Sequence, residues 1–366
     1  MQNKKLLVLS LYSKDKPSTR FRVFQFLPYL DNEEVMYKFA PPLPGFVYKR
    51  FANAKNKFVM ALIHILEFLN RIRQIIFSFR YDVVLVQKGI LPLQIRGMDK
   101  LLFLFNRNII FDLDDAVNLF PVQNFNSFPL RLLEDRGQIL KIIKRSSCIF
   151  VGNQKLKEDI EGVNSNVFII PTPVNTLDYL PFDGRYFRNG VFNILWSGTE
   201  GGLFQLRSYL GPISELTKKY KVRLLVLSNG AGFSDPRFKA DEILFIPWSY
   251  ENEKKAFAMA DAGVMFLDDI LWDRRKCAFK ALLYMANGIP AVSSPVGVVN
   301  DIIQDGVNGF LINSTEELKD KIELLIRDNN LRKDLGLNGR KTIENDFSLS
   351  FWGNRWSRLV AKAGGK

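Results

Sequence analysis

Two successive series of short, nearly continuous apolar runs, each alternating with longer amphipathic stretches, constrain this chain more than any other feature. The first series reads KLLVLSL, DVVLVQ, NIIFDLD, SCIFVG and NVFII; the second reads FNILWSG, VRLLVLS, EILFIP, AGVMFL and PAVSS. A strand with one wet face alternates apolar and polar residues, whereas a strand buried on both faces stays apolar throughout. Runs of the second kind, separated by helical periodicity, specify α/β architecture: parallel sheets with helices on both faces. At 366 residues the chain exceeds one comfortable core, so the two series imply two domains. The break falls in PTPVNTLDYLPFDGRYFRNG, where Pro, Gly and Asn interrupt the pattern. This gives a domain over 1–175, a linker over 176–190, a second domain over 191–345 and a terminal segment over 346–366. Within that last segment, SLSFWGNRWSRLVAKA reads as a helix with bulky aromatics.

Composition narrows the setting. Cys148 and Cys277 are the two cysteines; they form neither a disulfide framework nor a zinc-ligand spacing, which fits a reducing compartment. The opening LLVLSL is too short for a signal-peptide core, and no apolar run reaches the roughly 18 residues of a membrane span. A cytoplasmic protein is expected. The net charge of +13 is uneven: residues 1–180 hold 25 Lys and Arg against 16 Asp and Glu. Such an excess favours anionic partners. No zinc-finger, RNA-recognition or helix-turn-helix pattern occurs, so a phosphorylated substrate or an acidic lipid surface is expected rather than nucleic acid.

Ligands of open parallel sheets bind beyond the carboxyl ends of the strands, so the residues just after each run carry the search. The richest stretch is WDRRKCAFKALLYMANGIPAVSSPVG. Its periodicity predicts a helix starting near Cys277 and stopping at Asn287-Gly288, with Lys276 and Lys280 on one face. The turn Pro295-Val296-Gly297 then lets backbone approach a ligand. Two cations, a helix start and a close loop suit a diphosphate; an amphipathic helix with solvated lysines is the plainer alternative. WSGTEGGL sets Ser197, Gly198 and Thr199 between a strand and a helix containing Arg207, a glycine-rich turn that also suits phosphate.

In the first half, FRVFQFLPYL reads as a helix capped by Ser18 or Thr19, with Arg20 and Arg22 at its mouth. IIFDLDDAV ends a strand in three carboxylates, Asp112, Asp114 and Asp115, which could hold magnesium, supply a nucleophile or bind sugar hydroxyls. The form hhhhDxDxx resembles the first motif of haloacid-dehalogenase-type phosphatases. That resemblance implies Asp112 as nucleophile, Asp114 as acid/base and Asp268-Asp269 as later metal carboxylates, although such enzymes place this strand first in the domain. The lone histidine, His64, lies in an apolar helical stretch, which removes Ser-His-Asp hydrolysis and His-ligated zinc chemistry from consideration. Residues 46–80 hold seven Lys and Arg and one acid, Glu67, and their apolar residues follow helical spacing. Such a helix either lies on an anionic membrane or faces the core.

Taken in order, STRFRVFQFLPYL, YDVVLVQKGILP, FDLDDAV, VGN, IIPTPVNTLDY, WSGT, the WDRRKCAFKALLYMANGIPAVSSPVG block and DGVNGFLI resemble the segments of a family-4 (group 1) glycosyltransferase of GT-B fold. The resemblance covers nearly the whole chain. It implies two facing Rossmann-like parallel-sheet domains with a cleft between them, the first on the acceptor side and the second binding the nucleotide sugar. The C-terminal helix would pack back on the first domain. Such hexosyltransferase-type enzymes retain anomeric configuration and need no metal or other cofactor. By this resemblance Lys276 and Lys280 neutralise the departing diphosphate, and Pro295, Val296 and Gly297 offer backbone N–H groups to it. Ser197, Gly198, Thr199 and Arg207 line the opposite wall, while Trp248 and Ser249 meet the nucleobase. Asp114 and Asp115 face the donor sugar or acceptor, with Arg20, Arg22 and Asn153 on the acceptor side.

The chain departs from that family where many members carry two glutamates separated by seven residues. Here those positions hold Arg275 and Leu283. The expectation is therefore a membrane-peripheral, retaining glycosyltransferase that uses a glycan or lipid-linked acceptor in cell-envelope polysaccharide biosynthesis. A magnesium-dependent phosphatase using Asp112 and a GT-B-shaped nucleotide-sugar-binding protein without turnover are the competing readings.

Overall fold

The computed structural model describes residues 3–14, 16–51, 56–117, 130–179 and 190–363. Its chain divides into two compact units, Met1–Pro173 with Leu349–Lys366, and Val174–Ser348. Of the linker expected over 176–190, residues 180–189 lie outside the described residues; Thr176–Asp178 form a short 3-10 turn within the second unit.

The first unit is built on a parallel sheet of six strands: β1 (Lys4–Leu9), β2 (Val35–Ala40), β3 (Val83–Gln87), β4 (Ile109–Leu113), β5 (Cys148–Val151) and β6 (Val167–Ile169), in the order β2-β1-β3-β4-β5-β6. Successive side chains of a strand point to opposite faces. Leu7, Leu9, Val84 and Val86 accordingly enter one core, and Leu6, Val8, Val83 and Leu85 enter the other. The second core is closed by the terminal helix Leu349–Lys362, whose buried Trp356 stacks on Phe26 at 5.3 Å between ring centroids. Gly353 lies against the Tyr29 ring, where an added Cβ would come within 2.6 Å of ring carbons.

The second unit repeats the plan with β7 (Phe192–Gly198), β8 (Val222–Ser228), β9 (Ile243–Pro247), β10 (Ala262–Met265), β11 (Ala291–Ser293) and β12 (Phe310–Leu311). The order is β12-β11-β10-β7-β8-β9, again with parallel pairs throughout. The chain runs outward from β7 through β8 to β9, then returns to the other side of β7 with β10. That reversal is a topological switch point, where a crevice opens beyond the strand ends. The first sheet has its own switch point between β1 and β3.

Two strands and one helix depart from the expectation. β2 and β12 sit at sheet edges and are not among the predicted runs. β2, VMYKFA, is buried only at its two ends, so it lacks the unbroken apolar signature of a central strand. The helix expected over FRVFQFLPYL is shorter: Pro17–Arg22 is helical, and Phe24–Glu33 continues as 3-10 turns around Pro28. Proline has no N–H for an α-helical bond. No side chain caps the start; Lys16 is the cap residue, Pro17 follows it, and the Thr19 hydroxyl donates instead to Gln87 Oε1 at 3.2 Å.

Candidate active site

The second unit's switch point carries a lysine with an unusual setting. β7 ends at Ser197-Gly198, and the helix Phe279–Ala286 brings Lys280 alongside it. The Lys280 ammonium lies 4.8 Å from the centre of the Trp196 ring. A Cβ on Gly198 would stand 2.6 Å from that nitrogen, so the glycine is what leaves it room. Burial lowers the Lys280 pKa to about 8, assisted by Lys276 and opposed by Asp273. No carboxylate is paired with Lys280 among the described residues. A partly desolvated cation next to open backbone is suited to an incoming anion.

Lys276 is not on the helix with Lys280, as the spacing predicted. Ala278 takes a left-handed conformation, φ 48°, and starts the helix at Phe279. Lys276 instead ends a 3-10 turn, Asp273–Arg275, in extended conformation. Its ammonium pairs with Asp273 at 2.6 Å. Asp273 is buried and also accepts from Gln205 Nε2 at 2.6 Å and the Asp268 N–H at 3.0 Å. The lysines converge through this network rather than through helical periodicity.

The Pro295-Val296-Gly297 turn has fewer free donors than expected. Proline has no N–H, and the Val296 N–H donates to the Ser294 carbonyl at 2.9 Å. Gly297 remains, with φ 60°; a Cβ there would collide with the Arg274 carbonyl oxygen at 2.3 Å. Glycine is thus required both by backbone conformation and by the neighbouring turn. Behind these loops, the Tyr284 hydroxyl accepts from the Ser197 N–H at 2.9 Å and donates to the Val264 carbonyl at 3.2 Å, tying β7 to β10. Leu283 is buried in the core, and Arg275 Nη1 donates to the Leu271 carbonyl at 2.9 Å.

The remaining expected donor residues take up varied positions. Thr199 is exposed and precedes the 3-10 turn Glu200–Gly202. Arg207 points elsewhere: it is exposed, lies over the Phe233 ring at 4.9 Å and sits 3.9 Å from Asp235. Trp248 follows β9, and its indole N–H donates to Glu253 at 2.8 Å. Ser249 caps the helix Tyr250–Met259 by accepting the Asn252 N–H at 3.0 Å.

In the first unit, Arg22 and Asp112 form a buried two-pronged pair, Nε to Oδ2 at 3.2 Å and Nη2 to Oδ1 at 2.5 Å. Each is 1% exposed. Arg22 therefore does not wait at a helix mouth for an acceptor, because Asp112 occupies its guanidinium. Asp112 is buried and held through both oxygens by Arg22, so it is not presented to an incoming substrate, which weighs against the phosphatase reading. Asp268 and Asp269 moreover belong to the other unit. Arg20 packs its guanidinium on the Phe21 ring at 4.1 Å. Asn153 is buried and caps the helix Gln154–Ile160 by accepting the Leu156 N–H at 3.0 Å.

Asp114 and Asp115 stay partly open, and Lys88 bridges them at 3.0 and 2.5 Å. Lys88 adopts a left-handed φ of 61°, a conformation unfavourable for a side chain with a Cβ. Burial would lower its pKa, but the two carboxylates outweigh burial and hold it above the usual lysine value. Burial raises the Asp114 pKa to about 6 against the pull of Lys88, with Asp115 adding to the rise. The sequence places Lys88 after a strand without giving it a partner. Trp196, Asp273 and Gln205 carry no sequence signal, since their roles depend on contacts such as Gln205 to Asp273, distant in the chain.

A model of the glycosyl transferases group 1 family matches residues 239–342, which include the Lys276–Gly297 loops. The uncharacterized glycosyltransferase MJ1069 of Methanocaldococcus jannaschii is 25% identical over 353 residues, covering 90% of this chain and 74% of that protein. The chain is similar to the group 1 glycosyltransferases, and its residues 239–342 match that family directly. It also has the GT-B fold. Anabaena Alr3699/HepE, in its complex with UDP and glucose, superimposes with a TM-score of 0.71 at 12% identity, covering 98% of this chain and 99% of that one. Sucrose-phosphate synthase of Thermosynechococcus elongatus gives 0.65 at 14% identity, with 98% of each chain covered. At such identities the likeness is one of fold.

Proposed function

We propose that this chain is a group 1 glycosyltransferase that moves a sugar from a nucleotide-sugar donor, a UDP-sugar, to a glycan or lipid-linked acceptor of a cell-envelope polysaccharide, with retained anomeric configuration. The observation that carries the reading is the Lys280 ammonium, unpaired with any described carboxylate and held open by Gly198 at the β7 switch point. The fold likeness to a protein solved with UDP and glucose supports UDP as the nucleotide. In the transfer the bond from the anomeric carbon to the diphosphate oxygen breaks, and negative charge builds on the leaving group. Lys280, backed by Lys276, would stabilise that charge, and the effect acts on the transition state because the charge develops there. The acceptor oxygen bonds to the anomeric carbon from the same face, and its proton passes to a leaving-phosphate oxygen. No protein base is required. On this reading no metal participates.

The test is thermal stabilisation by UDP, UDP-sugars and GDP, followed by transfer to candidate acceptors with and without a chelator. Stabilisation by UDP-sugars that vanishes in Lys280→Ala is expected, with turnover indifferent to chelation. Absence of a shift with every nucleotide and nucleotide sugar would overturn the proposal.

A further inference from the structure

The helix Lys57–Ile76 in the first unit is apolar on its outward face as well as its inward one. Along its inward stripe lie Ile63, Glu67, Arg71 and Ile75, all buried. Along its outward face lie Phe58, Leu62, Ile65 and Leu69, which are 86%, 55%, 54% and 55% exposed. A globular helix normally keeps its outward face polar. The orientation is fixed by polar locks: Arg71 donates to the Ser10 carbonyl at 2.6 Å and the Ala40 carbonyl at 3.0 Å, and Glu67 accepts from the Tyr48 hydroxyl at 2.5 Å. Rolling the apolar face inward would strand those buried groups. The apolar face is therefore presented by construction.

We infer that this face docks on an anionic lipid bilayer, with the helix lying in the plane of the interface. Charge selects this occupant. The one acid of residues 46–80, Glu67, is buried, so the exposed charges of that segment among the described residues, Arg50, Arg73 and Arg80, are all cations. An apolar face flanked by arginines without acids matches a surface that is both apolar and negative. No described helix is long and apolar enough to cross a membrane, so the contact is one of lying on it. The face continues past the helix into Phe77 and Phe79, where the Arg80 guanidinium packs over both rings at 5.4 and 5.9 Å. An arginine so placed carries its ring neighbours to the depth at which phosphate headgroups meet its charge. This inference stands apart from the donor-site assignment and gives a lipid-linked acceptor a physical route to the first unit.

The experiment is flotation of the full chain with vesicles of phosphatidylcholine alone or containing phosphatidylglycerol. Strong flotation with the anionic vesicles, weakening with salt and on neutral vesicles, is expected. Leu62→Glu/Leu69→Glu should abolish flotation while its circular dichroism spectrum and urea midpoint stay close to those of the wild type, which shows that the variant is folded. If that variant does not fold, Arg73→Gln and Arg80→Gln serve instead, each expected to weaken binding about fivefold, the effect of one basic residue near an anionic surface. Failure of the wild type to float, or flotation unchanged in the folded variants, overturns the inference. So does a concentration-dependent dimer that Leu62→Glu/Leu69→Glu dissociates without any vesicle binding.

Discussion

Gly198 and Lys280 are complementary: a single added carbon at Gly198 would stand 2.6 Å from the lysine ammonium and 2.5 Å from the nearest Trp196 ring atom. The buried indole cannot yield, whereas the lysine can swing away. Gly198→Ala should therefore cost about 1–3 kcal/mol of stability through overpacking and displace the ammonium from the phosphate position. The expected result is a lower urea midpoint together with loss of UDP-sugar binding. Gly201→Ala is the matched control, since its added carbon meets only the Thr199 hydroxyl, at 4.0 Å. Equal stability and affinity in the two variants would show that the close approach at Gly198 has no role.

Lys280 also sets a pH dependence. Its pKa is lowered to about 8, chiefly by burial. The ammonium binds the diphosphate and the neutral amine does not, so kcat/KM for the donor should fall as pH rises through about 8, the free-enzyme value. A bound diphosphate favours the charged form, so the corresponding limb in kcat should lie at higher pH. Lys280→Ala should lower kcat by roughly 100-fold or more, the scale for removing one stabilising donor from a developing anion, and abolish the limb. Stability runs the other way: the folded state's penalty for charging Lys280 is complete below pH 8 and relieved between that value and the ordinary lysine range. A donor profile flat through pH 9 would remove Lys280 from the phosphate site.

What is legible in the sequence follows from how local each signal is. Central strands such as VVLVQ and IIFDL declare themselves because both faces are buried, and they define both sheets. The edge strand VMYKFA does not, because an edge strand tolerates Lys38 and Tyr37 in solvent. The lysine-bearing block is legible as chemistry but not as geometry. Nothing in RRKCAFK announces that Ala278 will turn left-handed and split Lys276 from the helix. Arg22 misleads for a related reason. Its partner Asp112 lies 90 residues away, and a solvent-seeking arginine and a buried, paired one look alike in a string of letters. The apolar helix over 57–76 is visible, but which of its faces turns outward depends on Ser10, Ala40 and Tyr48, which the helix's own sequence does not contain.

The Arg22–Asp112 pair makes a stability prediction that separates transferase from phosphatase chemistry. Removing one partner leaves a desolvated, uncompensated charge, which costs about 3–5 kcal/mol. Asp112→Ala should therefore lower the unfolding free energy by that order, measured by urea denaturation. Asp112→Asn should cost less, because the amide oxygen still accepts from Arg22. Full stability in Asp112→Ala combined with loss of a phosphatase activity would reverse the assignment of Asp112 as structural.

The carboxylate cluster beneath Lys88 should register in acid. Burial raises the Asp114 pKa to about 6 from an ordinary 3.8, with Asp115 adding to the rise and Lys88 opposing it. Between those two values the folded state binds more protons than the unfolded chain, so this group's contribution to stability falls as pH rises. The loss is complete above about pH 6, and its ceiling is about 3 kcal/mol, because each tenfold change in proton affinity is worth about 1.4 kcal/mol. Asp114→Asn removes the titration while leaving Asp115 to hold Lys88. The difference in melting temperature, wild type minus variant, should therefore decline from pH 4 to pH 6 and level off above. A difference that stays constant across this range would mean that Asp114 ionises at its ordinary pKa and that Lys88 fully offsets its burial.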